Sequence, residues 1–172
     1  ASEKQISFIN QHLDVDVIGG QIEEFIDDSN NVVGKRIVPL NDEDIKRYLR
    51  DRCPMNLVTV MFKKESVQKV GGYIDWYCEE DYYLWIRMFL NGMRFANLPD
   101  TLVKVRVGRD MYARRGGLRY FRSEARLQYY MYKKGIIGGG CFLTNIVKRL
   151  IVQVMLPNWI RGWVFRTFAR KK

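Results

Sequence analysis

Cysteine is scarce in this sequence and poorly arranged for bridging. The 172 residues hold three cysteines, Cys53, Cys78 and Cys141, far apart and with no C-x-x-C pair. An odd, scattered set argues against a disulfide framework and a cysteine-rich zinc site, and suits a reducing cytosol. No basic-then-apolar leader opens the chain, which begins ASEKQISFINQHL, so no secretory signal is visible. It starts inside what reads as an amphipathic helix, and an N-terminal portion is expected to be missing. No repeat or low-complexity segment stands out. The apolar run 142–155 is broken by Lys148 and Arg149, too centrally for a comfortable membrane span. Acids are also nearly absent late in the chain. Residues 101–172 carry 17 Lys+Arg against two acids, Asp110 and Glu124, a net of +15; residues 1–100 carry 12 against 17, a net of −5. That asymmetry points to an anionic partner for the C-terminal part: nucleic acid, an acidic membrane face or a phosphorylated substrate.

What is present suffices for one domain. The composition is 47% hydrophobic and 13% aromatic, ample for a packed core. Residues 3–13 read as a helix, VDVIGG and QIEEFI as strands, and 21–38 as a hairpin through the turn formers DDSNN. Asn41 begins a helix with acids in its first turn and bases in its last, matching the helix dipole. LVTVMF is short and continuously apolar, as a buried strand is. KKESVQKV reads as a short helix closed by Gly71-Gly72, and a longer one runs from Glu79 to Asn91 with Gly92 as its stop. RFANL and TLVKVRV are strand-like, and LRYFRSEARLQYYMYKKG is a basic helix. Interleaved strands and helices predict an α/β layered domain over 1–135, followed by an amphipathic basic helical tail over 136–172.

The stretch CEEDYYLWIRM, 78–88, places Glu79, Glu80 and Asp81 directly before an apolar helix. Acids in a helix's first turn meet unpaired backbone N–H groups, worth about 0.3–1 kcal/mol each, and the triplet is open to that reading alone. Gly71-Gly72-Tyr73 just upstream opens another, because glycine lets backbone approach a ligand closely. A carboxylate fixed beside such a loop can take a proton from an incoming hydroxyl. The helix end lowers its pKa and adjacent acids raise it, so the sequence leaves its basicity open.

GGYIDWYCEEDYYLWIRMFLNGMRFANLPDTLVKVRV resembles the second half of a bacterial family-2 glycosyltransferase catalytic domain, with the mixed, Rossmann-like sheet of the GT-A type. The matching places are Gly71, Gly72 and Tyr73, then Glu80-Asp81, then Leu84, Trp85 and Arg87. CPMNLVTVMFKKESVQKVGGY and RRGGLRYFRSEARLQYYM resemble the subgroup that builds capsular and other surface polysaccharides. The resemblance implies that Asp81, beside Glu80, deprotonates an acceptor hydroxyl that displaces a nucleoside diphosphate from a nucleotide-sugar with inversion. Gly71, Gly72, Tyr73 and Trp76 are the acceptor-side candidates. The departing diphosphate is an anion that needs cations, and Arg106, Arg114 and Arg115 offer the guanidinium fork that fits phosphate oxygens. A solvated basic loop is the alternative for those three. A divalent metal, Mg or Mn, is implied for the full-length enzyme, but the family's Asp-x-Asp-type motif belongs to the N-terminal half and is absent here. Asp14-Val15-Asp16 has the letters only, at the start of a strand just after the opening helix. Leu57 stands where subgroup members often have histidine, and His12 reads as an exposed helix residue.

The chain is therefore expected to be the acceptor-binding, base-bearing part of an inverting transferase, with little or no activity alone. Its expected partners are a nucleotide-sugar and a saccharide or lipid-linked saccharide. The tail, with Trp159 and Trp163 among its bases, suits an anionic membrane surface, which places the protein on the cytoplasmic face of the plasma membrane. A packed helix with a solvated basic end is the alternative. Other possibilities are a non-catalytic basic binding module and an inactive remnant; without a recognisable nucleic-acid motif, no nucleic acid is expected.

Overall fold

The structure, a computed structural model, describes residues 2–108 and 116–156. Its strands are β1 (Val17–Phe25), β2 (Val32–Arg36), β3 (Met61–Phe62) and β4 (Phe95–Arg106). Its helices are α1 (Ser2–Gln11), α2 (Asp42–Leu49), α3 (Lys64–Lys69), α4 (Glu80–Leu90), α5 (Leu118–Lys133) and α6 (Gly139–Leu150). A π-helical turn, Ile151–Met155, continues α6. The α/β class expected from the sequence is thus observed, with a sheet of mixed parallel and antiparallel pairing.

β1 organises the sheet. Parallel β4 runs along its whole length, while antiparallel β2 pairs with Ile22–Phe25 and antiparallel β3 with Val17–Ile18. Between the two antiparallel partners β1 would have bare backbone, and side chains fill in. Gly20 N–H donates to Thr59 Oγ1 (3.0 Å), and Asn56 Nδ2 donates to the Gly20 carbonyl (2.8 Å). This corrects the reading of LVTVMF as a buried strand. Leu57–Thr59 form a 3-10 turn with Leu57 and Val58 exposed, and only Met61–Phe62 pair as strand. The run is mostly apolar, but the sheet uses its one polar residue, Thr59, and the Asn56 that precedes it.

Gly19 and Gly20 do not split β1 into two strands. A Cβ on Gly19 would lie 2.6 Å from Asn97 Oδ1, and Asn97 is held in place by donating to the carbonyls of Pro39 and Pro54. The glycines are needed for this close approach. Similarly, RFANL and TLVKVRV form one strand with a register shift opposite Gly20/Gln21. Gln21 repairs it, donating to the Val38 and Leu98 carbonyls and accepting from Val38 N–H.

Successive residues of β1 and β4 face opposite layers, as strand geometry requires. Val17 and Phe95 join a large core with α2, α4 and α5; Ile18 and Ala96 join a small one covered by Phe8 and Ile9 of α1. α4 lies at the centre of the large core, burying Tyr82, Leu84, Trp85, Ile86 and Met88. α2 is capped as expected, Asn41 accepting from Asp44 N–H. Ile136 and Ile137 sit in the same core as α4, so packing is continuous across residue 136.

Candidate active site

The three consecutive acids have three different environments. Glu79 is buried and accepts from the Tyr120 hydroxyl of α5 at 2.8 Å. Glu80 is exposed, and Asp81 is half-buried. The preceding loop is set by α5. Trp76 Nε1 donates to the Ser123 carbonyl, and Ser123 Oγ donates to the Tyr77 carbonyl. Cys78 then takes φ 58°, a left-handed conformation uncommon for a residue with a side chain, and the chain turns into α4.

Asp81 Oδ1 accepts from Tyr82 N–H at 2.7 Å, and its Oδ2 lies 3.9 Å from the Cys53 thiol. Arg36, at the end of β2, donates to the Cys53 carbonyl at 2.8 Å. Burial raises the proton affinity of Asp81, and the charge of Glu80 adds to it; the Tyr82 N–H and the charge of Arg36 act in the opposite direction. No ion pair within 4 Å joins Asp81 to a cation among the described residues. Asp81 is therefore a carboxylate of raised basicity that no salt link among the described residues consumes. Burial first, then the charge of Asp81, pushes the Cys53 thiol up to about 12, so it stays protonated beside the carboxylate.

Tyr73 stands near this group. Burial, Asp81 and Glu80 all raise its pKa, yet 47% of the residue remains exposed. Gly71 and Gly72 both have positive φ, 86° and 66°, and their N–H groups close the end of α3 on the Gln68 and Val67 carbonyls. Gly72 has nothing within 4 Å of where a Cβ would stand, so the backbone conformation, rather than a close contact, calls for glycine there. Arg87, buried in α4, holds the turn by donating to the carbonyls of Val70 and Gly72.

Trp76 is committed to packing. Its ring lies 4.5 Å from that of Tyr83, with the Arg126 guanidinium 5.2 Å from its centroid. Trp85 is fully buried in the core. Arg106 is exposed at the end of β4, over the Phe25 ring. Arg114 and Arg115 lie outside the described residues.

Asp14 pairs with Arg94 at 2.6 Å, while Asp16 accepts from Ser66 Oγ and Arg94 N–H. Both acids of the D-V-D letters are occupied internally. Among the described residues no group of three or more His, Cys, Asp or Glu could hold a metal ion. The described residues by themselves therefore supply no ligand set for the divalent metal that the resemblance implies for the full-length enzyme. His12 is exposed and stacks on Phe8.

Sequence reasoning missed Arg36, Cys53 and Tyr120. They lie far from the triplet along the chain and meet it only through the fold. Arg36 alone left a trace, as one of two bases, with Lys35, closing the short strand VVGKR.

The proteins similar to this chain are bacterial glycosyltransferases, some of them named for polysaccharide biosynthesis. An uncharacterized glycosyltransferase of Haemophilus influenzae is 40% identical over 98% of the chain and 62% of its own length. The UDP-Gal:alpha-D-GlcNAc-diphosphoundecaprenol beta-1,3-galactosyltransferase of Escherichia coli is 32% identical over 96% of the chain and 60% of its own. The amylovoran biosynthesis glycosyltransferase AmsE of Erwinia amylovora is 39% identical over 89% and 59%. The chain thus spans about three fifths of the length of these curated relatives. No family model matches it.

Proposed function

We propose that this chain is the acceptor-side part of an inverting, GT-A-type family-2 glycosyltransferase. In the whole enzyme Asp81 takes the proton of an acceptor hydroxyl as its oxygen bonds to the anomeric carbon. The bond from that carbon to the diphosphate breaks, and the nucleoside diphosphate leaves with the electron pair. Burial and Glu80 make Asp81 a stronger base than a free aspartate, while Arg36 favours its ionised form. Tyr73, exposed beside it, is the side chain best placed to meet a sugar ring. Arg106 is the described candidate for the departing diphosphate.

The acceptor is a saccharide, carried on a lipid diphosphate as in the name of the E. coli relative. The reaction then takes place at the inner face of the plasma membrane. The association proposed for this chain is peripheral; no described helix is long and apolar enough to cross a membrane.

The observation that carries the reading is Asp81 itself: half-buried at a helix start, raised in basicity and joined to no cation among the described residues. Sugar transfer by a whole enzyme containing this chain, compared with its Asp81→Asn variant, tests it. General-base loss costs about 10²–10⁴-fold in kcat, with donor binding unchanged. Retention of activity within about threefold would assign the base elsewhere. This chain alone is expected to show no turnover above its own Asp81→Asn control.

A further inference from the structure

α6 is docked with its polar side inward. Asn145, Arg149 and Gln153, spaced four apart, are its buried residues together with the following turn. Asn145 Nδ2 donates to the Arg50 carbonyl and to Gln128 Oε1; Arg149 donates to the Asp51 carbonyl at 2.6 Å and lies 3.0 Å from Glu124. On the opposite side Leu143 is 63% exposed, Val147 45% and Met155 67%, with Leu150 and Ile151 exposed between them. An amphipathic helix on a globular domain ordinarily buries its apolar stripe. Here the buried polar set anchors the helix in one rotation, and the apolar stripe has no cover among the described residues. The stripe continues onto α5, where Phe142 packs on the rings of Tyr129 and Tyr132, both exposed.

We infer that this apolar face of α6 docks the protein flat on an anionic lipid bilayer. The inference rests on the membrane placement proposed above and names the surface responsible. Charge identifies the occupant. Lys133 and Lys134 end α5, and Lys148 lies on α6 with the Asp51 carboxylate 3.9 Å away; from Gly116 to Leu156 the sole acid is Glu124, which is turned inward to Arg149. A second copy meeting this face about a two-fold axis would set these lysines against their counterparts, a repulsive pairing. Phosphate headgroups would neutralise them while the acyl boundary takes the leucine and valine side chains. The two tyrosines are amphipathic, as residues at that depth are. The next 16 residues in sequence carry five bases and no acid.

Co-sedimentation of the full chain with vesicles tests the inference without any sugar chemistry. The wild type is expected to bind vesicles rich in phosphatidylglycerol and to bind pure phosphatidylcholine weakly. Leu143→Ser, Val147→Ser and Ile151→Ser together are expected to weaken binding about tenfold or more. A control with equally exposed apolar residues elsewhere, Leu13→Ser with Val58→Ser, is expected to bind unchanged. Circular dichroism and melting check that each variant folds. Should the triple variant fail to fold, Leu143→Ser alone serves instead, and is expected to weaken binding to the anionic vesicles severalfold. Absence of vesicle binding by the wild type, or equal binding by the altered face, would overturn the inference. So would a wild-type dimer that the triple variant dissociates while lipid is ignored, since a second copy would then own the face. Asp81→Asn is expected to bind vesicles like the wild type, so failure here and failure of the base assignment are separable.

Discussion

α4 and α6 are of similar length and both are rich in apolar residues, yet they are held in opposite ways. α4 buries apolar side chains around most of its circumference and presents its acids at one end. α6 buries an asparagine and an arginine and leaves leucine and valine in water. A helix locked by apolar burial can hold a carboxylate in a fixed place, because many independent contacts determine its position. One locked by a few polar bonds keeps an apolar stripe free for something outside the chain. The same composition thus serves positioning in one helix and docking in the other.

The sharpest way to break this contrast is to truncate one apolar residue in each helix. Leu84→Ala in α4 removes a fully buried side chain and is expected to cost about 4 kcal/mol of stability. Leu143→Ala in α6 is expected to change stability by no more than about 0.5 kcal/mol. Urea unfolding of both variants decides it; equal losses would mean that Leu143 is covered after all. Next in size is Arg149→Ala, which strands Glu124 in a half-dry site and is expected to cost about 3 kcal/mol. Replacing the pair together, Arg149→Met with Glu124→Gln, is expected to cost less than Arg149→Ala alone, since no charge is then left unpaired. Additive losses would mean that the pair does not anchor α6.

Local rules made much of α4 and α2 legible before any coordinates. The Asn41 cap, the Gly92 stop and the acid-led aromatic run are contiguous signals, and the structure places helices where they indicate. The inward side of α6 was not legible. A helical pattern shows that two faces differ, but the partners that bury the polar one, the Arg50 and Asp51 carbonyls, lie 95 and 98 residues away. Thr59 and Asn56 standing in for a strand beside Gly20 failed to show for the same reason. At the site, Asp81 was visible from its position at a helix start. What sets its basicity, burial by the surrounding elements opposed by Arg36 from β2, required the fold.

Arg87 joins the two halves of the site, and its loss is expected to be intermediate. Arg87→Ala leaves the carbonyls of Val70 and Gly72 without their charged donor, at a cost of about 2 kcal/mol. Hydrogen exchange at Gly71 and Gly72 should quicken while amides inside α5 stay protected, because the turn loosens and the core does not. Arg87→Lys is expected to recover only part of the loss, since a single ammonium cannot serve both carbonyls as the planar fork does. Unchanged exchange in the turn would show that α3's own end, rather than Arg87, holds it.

The smallest effect concerns Asp81 and has the opposite sign. Its folded-state pKa is raised, chiefly by burial and then by Glu80, so the folded state holds that proton more tightly than the unfolded chain does. The stability this lends is complete below the ordinary aspartate range and is lost as pH rises through the raised value. Asp81→Asn has no charge to bury and escapes the loss. Melting temperatures of variant and wild type should therefore agree near pH 3, and the variant should melt higher by pH 7. Glu80→Gln should narrow that gap by removing the like charge, whereas Arg36→Met should widen it by removing the opposing cation. A wild type more stable than Asp81→Asn at pH 7 would mean that the carboxylate is held by a favourable internal partner, and a group so satisfied has little reason to accept a proton from a sugar.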